Sequence, residues 1–539
     1  MSKNPLKAAG TLRNIMMFTN KQLKALILPL VIEQLLAMLV GIADTIMISI
    51  VGEAAISGVL LVDMLNYFVI VVFSALATGG AVIVSQYLGN ADRGNANKAA
   101  GQLITIAFIF SFSIGVCCLL LHESILRLLF GSVENDVMNA AKTYFFISSL
   151  SFPFLGIYNA QAALYRSMAK TGVTMYISLL MNVINVFGNA IGIFVFRAGV
   201  AGVAVPTLIA RMTAALLLTG LAARKSNTVF ITIKNILSFQ KDMARRILCI
   251  AIPNGIENGL FQFGRILVTS IVALFGTSQI AANGVAGSVD MIAIIVVNSV
   301  NLGVITVVGQ CVGGCEYDQA AYYTKKLMII SYIATGILGL AVILLLPLIL
   351  RLYSLSAETA RMAGILIVTH NILAFLLHPT SFVLCNTLKA SGDVKFSMYA
   401  AIASMLAFRL GCAYFLGIIL NMGLIGVWIA MGMDWTGRSI CYFLRYKSGK
   451  WKNYRAIYRG AAIGKIRQDF DKIVYIYSCR WSVSYEQERV PGEYVDYKLG
   501  LLALLVLAMP FAARPVFAQD SRRTAAKWLK ITVGDMAPC

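Results

Sequence analysis

The chain of 539 residues is 59% hydrophobic, has a mean hydropathy of +0.79, and carries charge on only 13% of its residues. Soluble domains carry roughly 25% charged residues, so a water-soluble globular protein is excluded. The net charge of +21 would suit nucleic acid, but the bases cluster at the ends of apolar stretches, and no nucleic-acid partner is expected.

Lys3, Lys7, Arg13, Lys21 and Lys24 make a basic N-terminus. Apolar stretches follow at 25–50, 57–88, 99–121, 137–165, 174–196 and 203–222. Each is long enough to cross ~30 Å of hydrocarbon. A basic linker at 223–247, with Arg224, Lys225, Lys234, Lys241, Arg245 and Arg246, leads to a second set at 248–275, 280–312, 327–350, 359–388, 396–419 and 425–444.

The second set repeats the first at an offset of 224 residues. Pro29 and Glu33 fall on Pro253 and Glu257, Gly52 on Gly276, and Gly79 on Gly303. Gln86 and Gly89 fall on Gln310 and Gly313, Ile125-Leu126-Arg127-Leu128 on Ile349-Leu350-Arg351-Leu352, and Ser132-x-Glu134 on Ser356-x-Glu358. The expected fold is an all-α integral membrane protein of twelve transmembrane helices in two six-helix lobes, residues 1–222 and 248–446. An even number of spans per half gives both halves the same orientation, a parallel repeat of the kind found in transporters.

Residues 447–539 read as a C-terminal tail with no counterpart in either lobe, an appendage to the machine. Within it Lys447 to Arg459 is basic, Asp469 to Tyr497 is polar, and Leu499 to Phe511 is apolar but too short to span. An interfacial or re-entrant element is the alternative for that last run.

Lysine and arginine follow the even-numbered spans (Arg93 and Lys98, Arg166 and Lys170, Lys325 and Lys326, Lys389 and Lys395), while the opposite loops hold few. The positive-inside bias then predicts a multi-pass protein of the plasma (inner) membrane with both termini cytoplasmic. Most cysteines lie within spans, where they read as packing. Cys311 and Cys315 have no histidine near them in sequence, and no metal set is expected. His122, His370 and His378 lack ligand spacing and read as interface or packing residues.

Charges at the bilayer centre cost ~2.5–3.5 kcal/mol each on insertion scales and line cavities when they persist. Glu33 and Asp44 on the first span are eleven residues apart, about 20° of rotation at helical spacing, so both point to one face. Pro29 ahead of them can loosen that helix. On the fifth span Asn182, Asn185 and Asn189 share a face; Asn159 and Gln161 lie on the fourth, and Asp63 and Asn66 on the second. Only Glu257 repeats in the second half, because Val268 replaces Asp44; Arg265 and Asp290 are further buried charges there. Two readings stay open for Glu33 and Glu257, coupling groups or braces of a bend. The asparagines can serve a cavity or act as interhelical glue.

Leu28-Pro29-x-x-x-Glu33-Gln34-Leu35-Leu36, Val40-Gly41-x-x-Asp44-Thr45, Gly52-Glu53, Gln86-Tyr87-Leu88-Gly89 and Lys389-Ala390-Ser391-Gly392-Asp393 together resemble the multidrug and toxic compound extrusion (MATE) family, over residues 20 to about 455. The resemblance implies a V of two six-helix lobes that expels cationic, amphipathic compounds in exchange for protons or sodium, acting as a monomer without cofactor. It assigns coupling to Asp44, a sodium ion there being the one metal it admits. The coupling and substrate cavity would comprise Asp44, Glu33, Asn159, Asn182, Asn185, Asn189 and Glu257. Asn189 stands where many members have aspartate, and Phe261 where some have glutamate. Ala169-Lys170 departs from the pattern that Gly392-Asp393 keeps.

A major-facilitator loop motif at Gly89-x-x-Asp92-Arg93 is one residue short. No nucleophile, base or metal set points to an enzyme. The alternative function is a lipid-linked oligosaccharide flippase of the same superfamily, which would favour a more cationic cavity; Arg211, Arg265 and Arg409 are the bases available for one.

Overall fold

The computed structural model describes residues 16–131, 133–353 and 355–458. Lys3, Lys7, Arg13, the Ser132 member of the repeat, and the polar and apolar stretches of the tail lie outside the described residues.

The first lobe comprises α1 (Asn20–Ser49), α2 (Glu53–Gly89), α3 (Arg93–Phe130), α4 (Asn135–Leu150), α5 (Phe152–Ser167), α6 (Thr171–Ala190) and α7 (Ala201–Ala222). A short linker helix α8 (Ile233–Leu237) precedes α9 (Lys241–Ala273), α10 (Thr277–Gly313), α11 (Tyr317–Leu352), α12 (Ala357–Ser391), α13 (Val394–Ser404) and α14 (Gly423–Lys447). These elements make twelve crossings. The fourth span is not one helix as expected: Ser151 separates α4 from α5, with Pro153 in the first turn of α5, where a missing N–H costs nothing. The fifth and eleventh spans end in π-helical turns, Ile191–Val195 and, beyond α13, Met405–Cys412 and Phe415–Ile419.

Among the described residues nine helices are long and apolar enough to cross a membrane. The other three crossings fall short for physical reasons. The α4–α5 pair is cut into pieces of 16 residues each, while α9 carries Glu257 and Arg265, and α14 carries Asp434 and Arg438.

Start and stop signals are local. Thr19 caps α1 in a capping box with Gln22. Gly52 and Gly276, equivalent in the repeat, precede α2 and α10 with φ of 139° and 95°, a conformation only glycine adopts without strain. At the exits of the fourth and tenth spans Ala169 takes φ 57° where Gly392 takes φ 99°. Ala169→Gly should raise stability by about 1 kcal/mol, since the β-carbon is what disfavours that backbone. An unchanged or lower melting temperature of the purified variant would refute the account.

Pro29 removes an N–H that would bond the carbonyl of Ala25. Thr171 Oγ1 sits 3.1 Å from that oxygen and 2.8 Å from Leu26 O, so α6 satisfies the carbonyl freed in α1.

One buried cluster spans both lobes at the end bearing the basic loops; it includes Ala81, Val84, Ala251 and Val308. At the other end the cores are separate. One, around Val62, Phe73 and Phe152, belongs to the first lobe, and one, around Val285, Leu366 and Trp428, belongs to the second. Joined at one end and apart at the other, the lobes form a V.

The joint is made by the repeat itself. A β-carbon on Gly89 would stand 1.8 Å from Gln310 O, and one on Gly313 would stand 2.1 Å from Gln86 O. Gln86 Nε2 donates to Ala390 O and Gln310 Nε2 to Ser167 O, both at 2.8 Å. Small residues let the backbones meet, and the two glutamines cross-link them. Residues 450–458, which the sequence reading assigns to the tail, pack into this joint. Trp451 and Ile457 belong to the shared core, and Gln86 Oε1 accepts from the amides of Ala456 (2.9 Å) and Ile457 (3.3 Å).

Candidate functional site

The expected site residues divide between two places. In the first lobe α6 turns a polar stripe inward (Thr171, Thr174, Ser178, Asn182, Asn185 and Asn189, all buried) while Tyr176, Val183 and Phe187 are exposed on the other side. This inverts the amphipathicity of a soluble helix, as lipid requires. Glu33 and Asp44 both reach this helix, so their shared face is real.

Asn189 Nδ2 donates to Asp44 Oδ1 at 2.7 Å and to Asn185 Oδ1 at 3.3 Å. Asn185 Nδ2 donates to Thr207 Oγ1 at 2.8 Å, and Thr207 donates to Val203 O at 2.9 Å. This relay fixes the amide orientations and leaves Asn189 Oδ1 buried without a partner among the described residues. Asn182, one turn earlier, is buried with its Nδ2 likewise unpartnered. Nearby, Tyr144 OH and Asn66 Nδ2 donate to Asp63 Oδ1 at 3.2 and 3.4 Å, and Arg211 Nη1 donates to Ser151 Oγ at 2.7 Å. The break between α4 and α5 thus supplies Ser151 to Arg211.

The second place is a cavity of about 730 Å³ between the lobes. Glu33, Asn159 and Glu257 line it; Asp44, Asn182, Asn185 and Asn189 do not. Asn159 Nδ2 is held by Leu155 O at 2.9 Å. Both glutamates are paired. Arg166 Nη1 approaches Glu33 Oε1 at 3.4 Å, and Thr174 Oγ1 donates to Oε2 at 2.8 Å. Lys389 Nζ lies 2.9 Å from Glu257 Oε1 and 2.8 Å from Asn254 Oδ1. The pairs are equivalent under the repeat, with a one-residue slip in the fourth span, and each ties the first helix of its lobe to the exit of the fourth.

Breaking one side of a buried pair costs about 3–5 kcal/mol, because the partner charge is left uncompensated. Lys389→Met should therefore lower the melting temperature markedly, while Glu257→Gln with Lys389→Met should recover more than half the loss. Equal destabilisation in single and double variants would dismiss the brace.

In the sequence Arg166 and Lys389 read as loop bases, and Asp434 and Arg438 are not among the expected site residues. Arg438 Nη2 bonds Asp434 Oδ2 at 2.6 Å, with Asp434 fully buried and Arg409 Nη1 at 3.9 Å from the same oxygen. An acid and a base four residues apart in an apolar span was the available signal. His370 Nδ1 stands 3.1 Å from Asp290 Oδ1, and His378 stacks on Phe382 with centroids 4.1 Å apart.

The MatE family model matches residues 29–191 and again 253–415, the same offset of 224. An uncharacterized transporter of Bacillus subtilis, YisQ, is 29% identical over 434 residues, covering 78% of this chain and 93% of that protein. The probable multidrug resistance protein NorM of Thermotoga maritima is 24% identical over 446 residues, covering 81% and 94%. A MATE crystal structure in complex with MaL6 superposes with a TM-score of 0.75 at 19% identity, over 80% of this chain and 97% of that one. A MOP superfamily transporter from Pyrococcus furiosus, described as having a binding pocket of reverse polarity, gives 0.74 at 19% identity over 81% and 96%. With both halves matched and the same two-lobe fold, the chain belongs to the MATE family of efflux transporters.

Proposed function

We propose that the protein exports amphipathic drugs across the plasma membrane by alternating access, driven by a proton or a sodium ion that binds at Asp44. The observation that carries this reading is the first-lobe relay. Asp44 Oδ1 is engaged by Asn189, while no bond to its Oδ2 occurs among the described residues, and Asn189 Oδ1 is a second free acceptor. Such a site gains from a bound cation, because a bare carboxylate away from water is costly. Asn189 cannot titrate, so Asp44 is the exchangeable acid of the relay.

Coupling follows from linkage between two sites. The cation and the drug occupy different places, and each biases the lobes toward one facing state; neither needs to touch the other. Moving one elementary charge through 100 mV releases ~2.3 kcal/mol, enough for a concentration ratio of about fifty. Efflux of a fluorescent drug from proteoliposomes, under separately imposed proton and sodium gradients, tests the proposal. Accumulation that follows one gradient and collapses with it is expected; indifference to both would overturn it.

The positive-inside bias puts the joined end of the V in the cytoplasm and opens the cavity outward. Single cysteines at Arg93 and Ser226 should then react with impermeant reagents only from the cytoplasm, and one at Glu134 only from outside. Labelling of Arg93 and Glu134 from the same side would reject this orientation. The flippase reading retains one point in its favour, the arginines of the second-lobe wall.

A further inference from the structure

The charges lining the central cavity are not evenly compensated. Arg166 and Lys389 are taken by Glu33 and Glu257, while Asp290, which also lines the cavity, lies 3.1 Å from His370 without a hydrogen bond among the described residues. That leaves Arg265, Arg409 and Arg438 on the second-lobe wall. Behind them stands the carboxylate of Asp434, bonded by Arg438 and only distantly approached by Arg409. Arg265 makes no ion pair among the described residues. Arg438 is 5% exposed, yet its Nε has no hydrogen-bond partner among the described residues, so a donor in the wall is left free there.

The surroundings are aromatic. Arg409 and Arg438 lie 5.8 and 5.3 Å from the centre of the Phe261 ring, and Arg438 lies 5.1 Å from that of Phe382. Trp428 and Trp435 line the same cavity. Stacking on ring faces holds a guanidinium in place and leaves its edge donors for an oxyanion, which a guanidinium grips with two parallel bonds. An organic cation would instead meet a net excess of base on this wall, three arginines against Asp434 and Asp290, and the cavity glutamates are already matched by bases.

Taking the central cavity as the transport chamber, on which this inference rests, we propose that its second-lobe wall is an anion subsite. It admits aromatic amphiphiles bearing a carboxylate, sulfonate or phosphate, with Arg265 and Arg409 as the groups that hold the anion. Arg438, fixed by Asp434, positions the wall.

The test is equilibrium binding without any gradient, to the full chain in nanodiscs of zwitterionic lipid. Two dyes with one xanthene ring system are compared by fluorescence anisotropy: carboxyfluorescein, an anion, and rhodamine 123, a cation. Carboxyfluorescein is expected to bind at least tenfold more tightly. Arg265→Gln with Arg409→Gln should weaken it at least tenfold, about 1.4 kcal/mol, without weakening rhodamine 123. Arg409→Lys, which keeps the charge but loses the fork, should weaken it by a smaller factor at unchanged melting temperature. Competition by decyl phosphate would extend the subsite to lipid-like headgroups; its absence would confine it to drug-sized anions.

The proposal falls if rhodamine 123 binds as tightly as carboxyfluorescein. It also falls if the double variant, or Arg265→Gln alone should the double variant not fold, keeps anion binding within twofold. Selective anion binding by a protein that transports under neither gradient would leave the subsite standing and remove the efflux reading.

Discussion

Asp44→Asn is expected to reach the membrane at parental levels and to lose at least tenfold of gradient-driven efflux, a barrier change of ~1.4 kcal/mol or more. The side chain keeps its size and can still meet Asn189, which bonds Asp44 Oδ1 at 2.7 Å, so packing of α1 on α6 should survive. What it cannot do is alternate between a bare charge and a neutralised one. The second lobe offers no substitute, since Val268 occupies the equivalent position. Drug binding to the central cavity should persist, because Asp44 does not line it. Efflux near parental under the gradient that drives the parent would move the coupling site elsewhere, with the paired Glu33 and Glu257 next in line.

Gly89→Ala should be nearly as damaging, for a steric reason. The new β-carbon would fall 1.8 Å from the backbone oxygen of Gln310, which cannot turn aside as a side chain can. Overpacking of this kind usually costs ~1–3 kcal/mol, and here it acts directly on the joint between the lobes. The lobes must part at the basic end, so the state with that end closed becomes rare. At matched membrane levels we expect at least a tenfold drop in efflux. A cysteine at Asn258 in the cavity wall should react faster with impermeant reagents from the cytoplasm, and more slowly from outside, than it does in the parent. Gly220→Ala is the control, since a β-carbon there meets nothing within 4 Å. Efflux of Gly89→Ala within twofold of the parent would show that closure of this end is not required.

The two halves have kept the same frame while diverging in charge. Gly52 with Gly276, Gln86 with Gln310, and the Glu33–Arg166 pair with Glu257–Lys389 are shared, and all serve turns, the joint or bracing. The first lobe alone has the acid and amides of the Asp44 relay. The second alone has the arginine wall around Asp434. A cation site in one lobe and an anion subsite in the other would give each half its own ligand to bias the common hinge.

Membrane residence, twelve crossings and duplication were all determined by the sequence itself. Apolar length and periodic identity are properties of the chain, and the cost of exposing a backbone to lipid leaves helices as the only outcome for such segments. Helical spacing also determined that Glu33 and Asp44 share a face, and that Asn182, Asn185 and Asn189 do. The partners of those groups were decided only in three dimensions. Arg166 lies 133 residues from Glu33, and Lys389 lies 132 from Glu257. As span-end bases they looked like topology signals until packing brought them onto the glutamates. The same packing separated the Asp44 relay from the central cavity, stacked Arg409 and Arg438 over Phe261, and drew residues 450–458 into the joint. A pairing between spans depends on how far each helix slides and how the two lobes lean together, and those quantities are set by the summed contacts of whole helices rather than by any local run of residues.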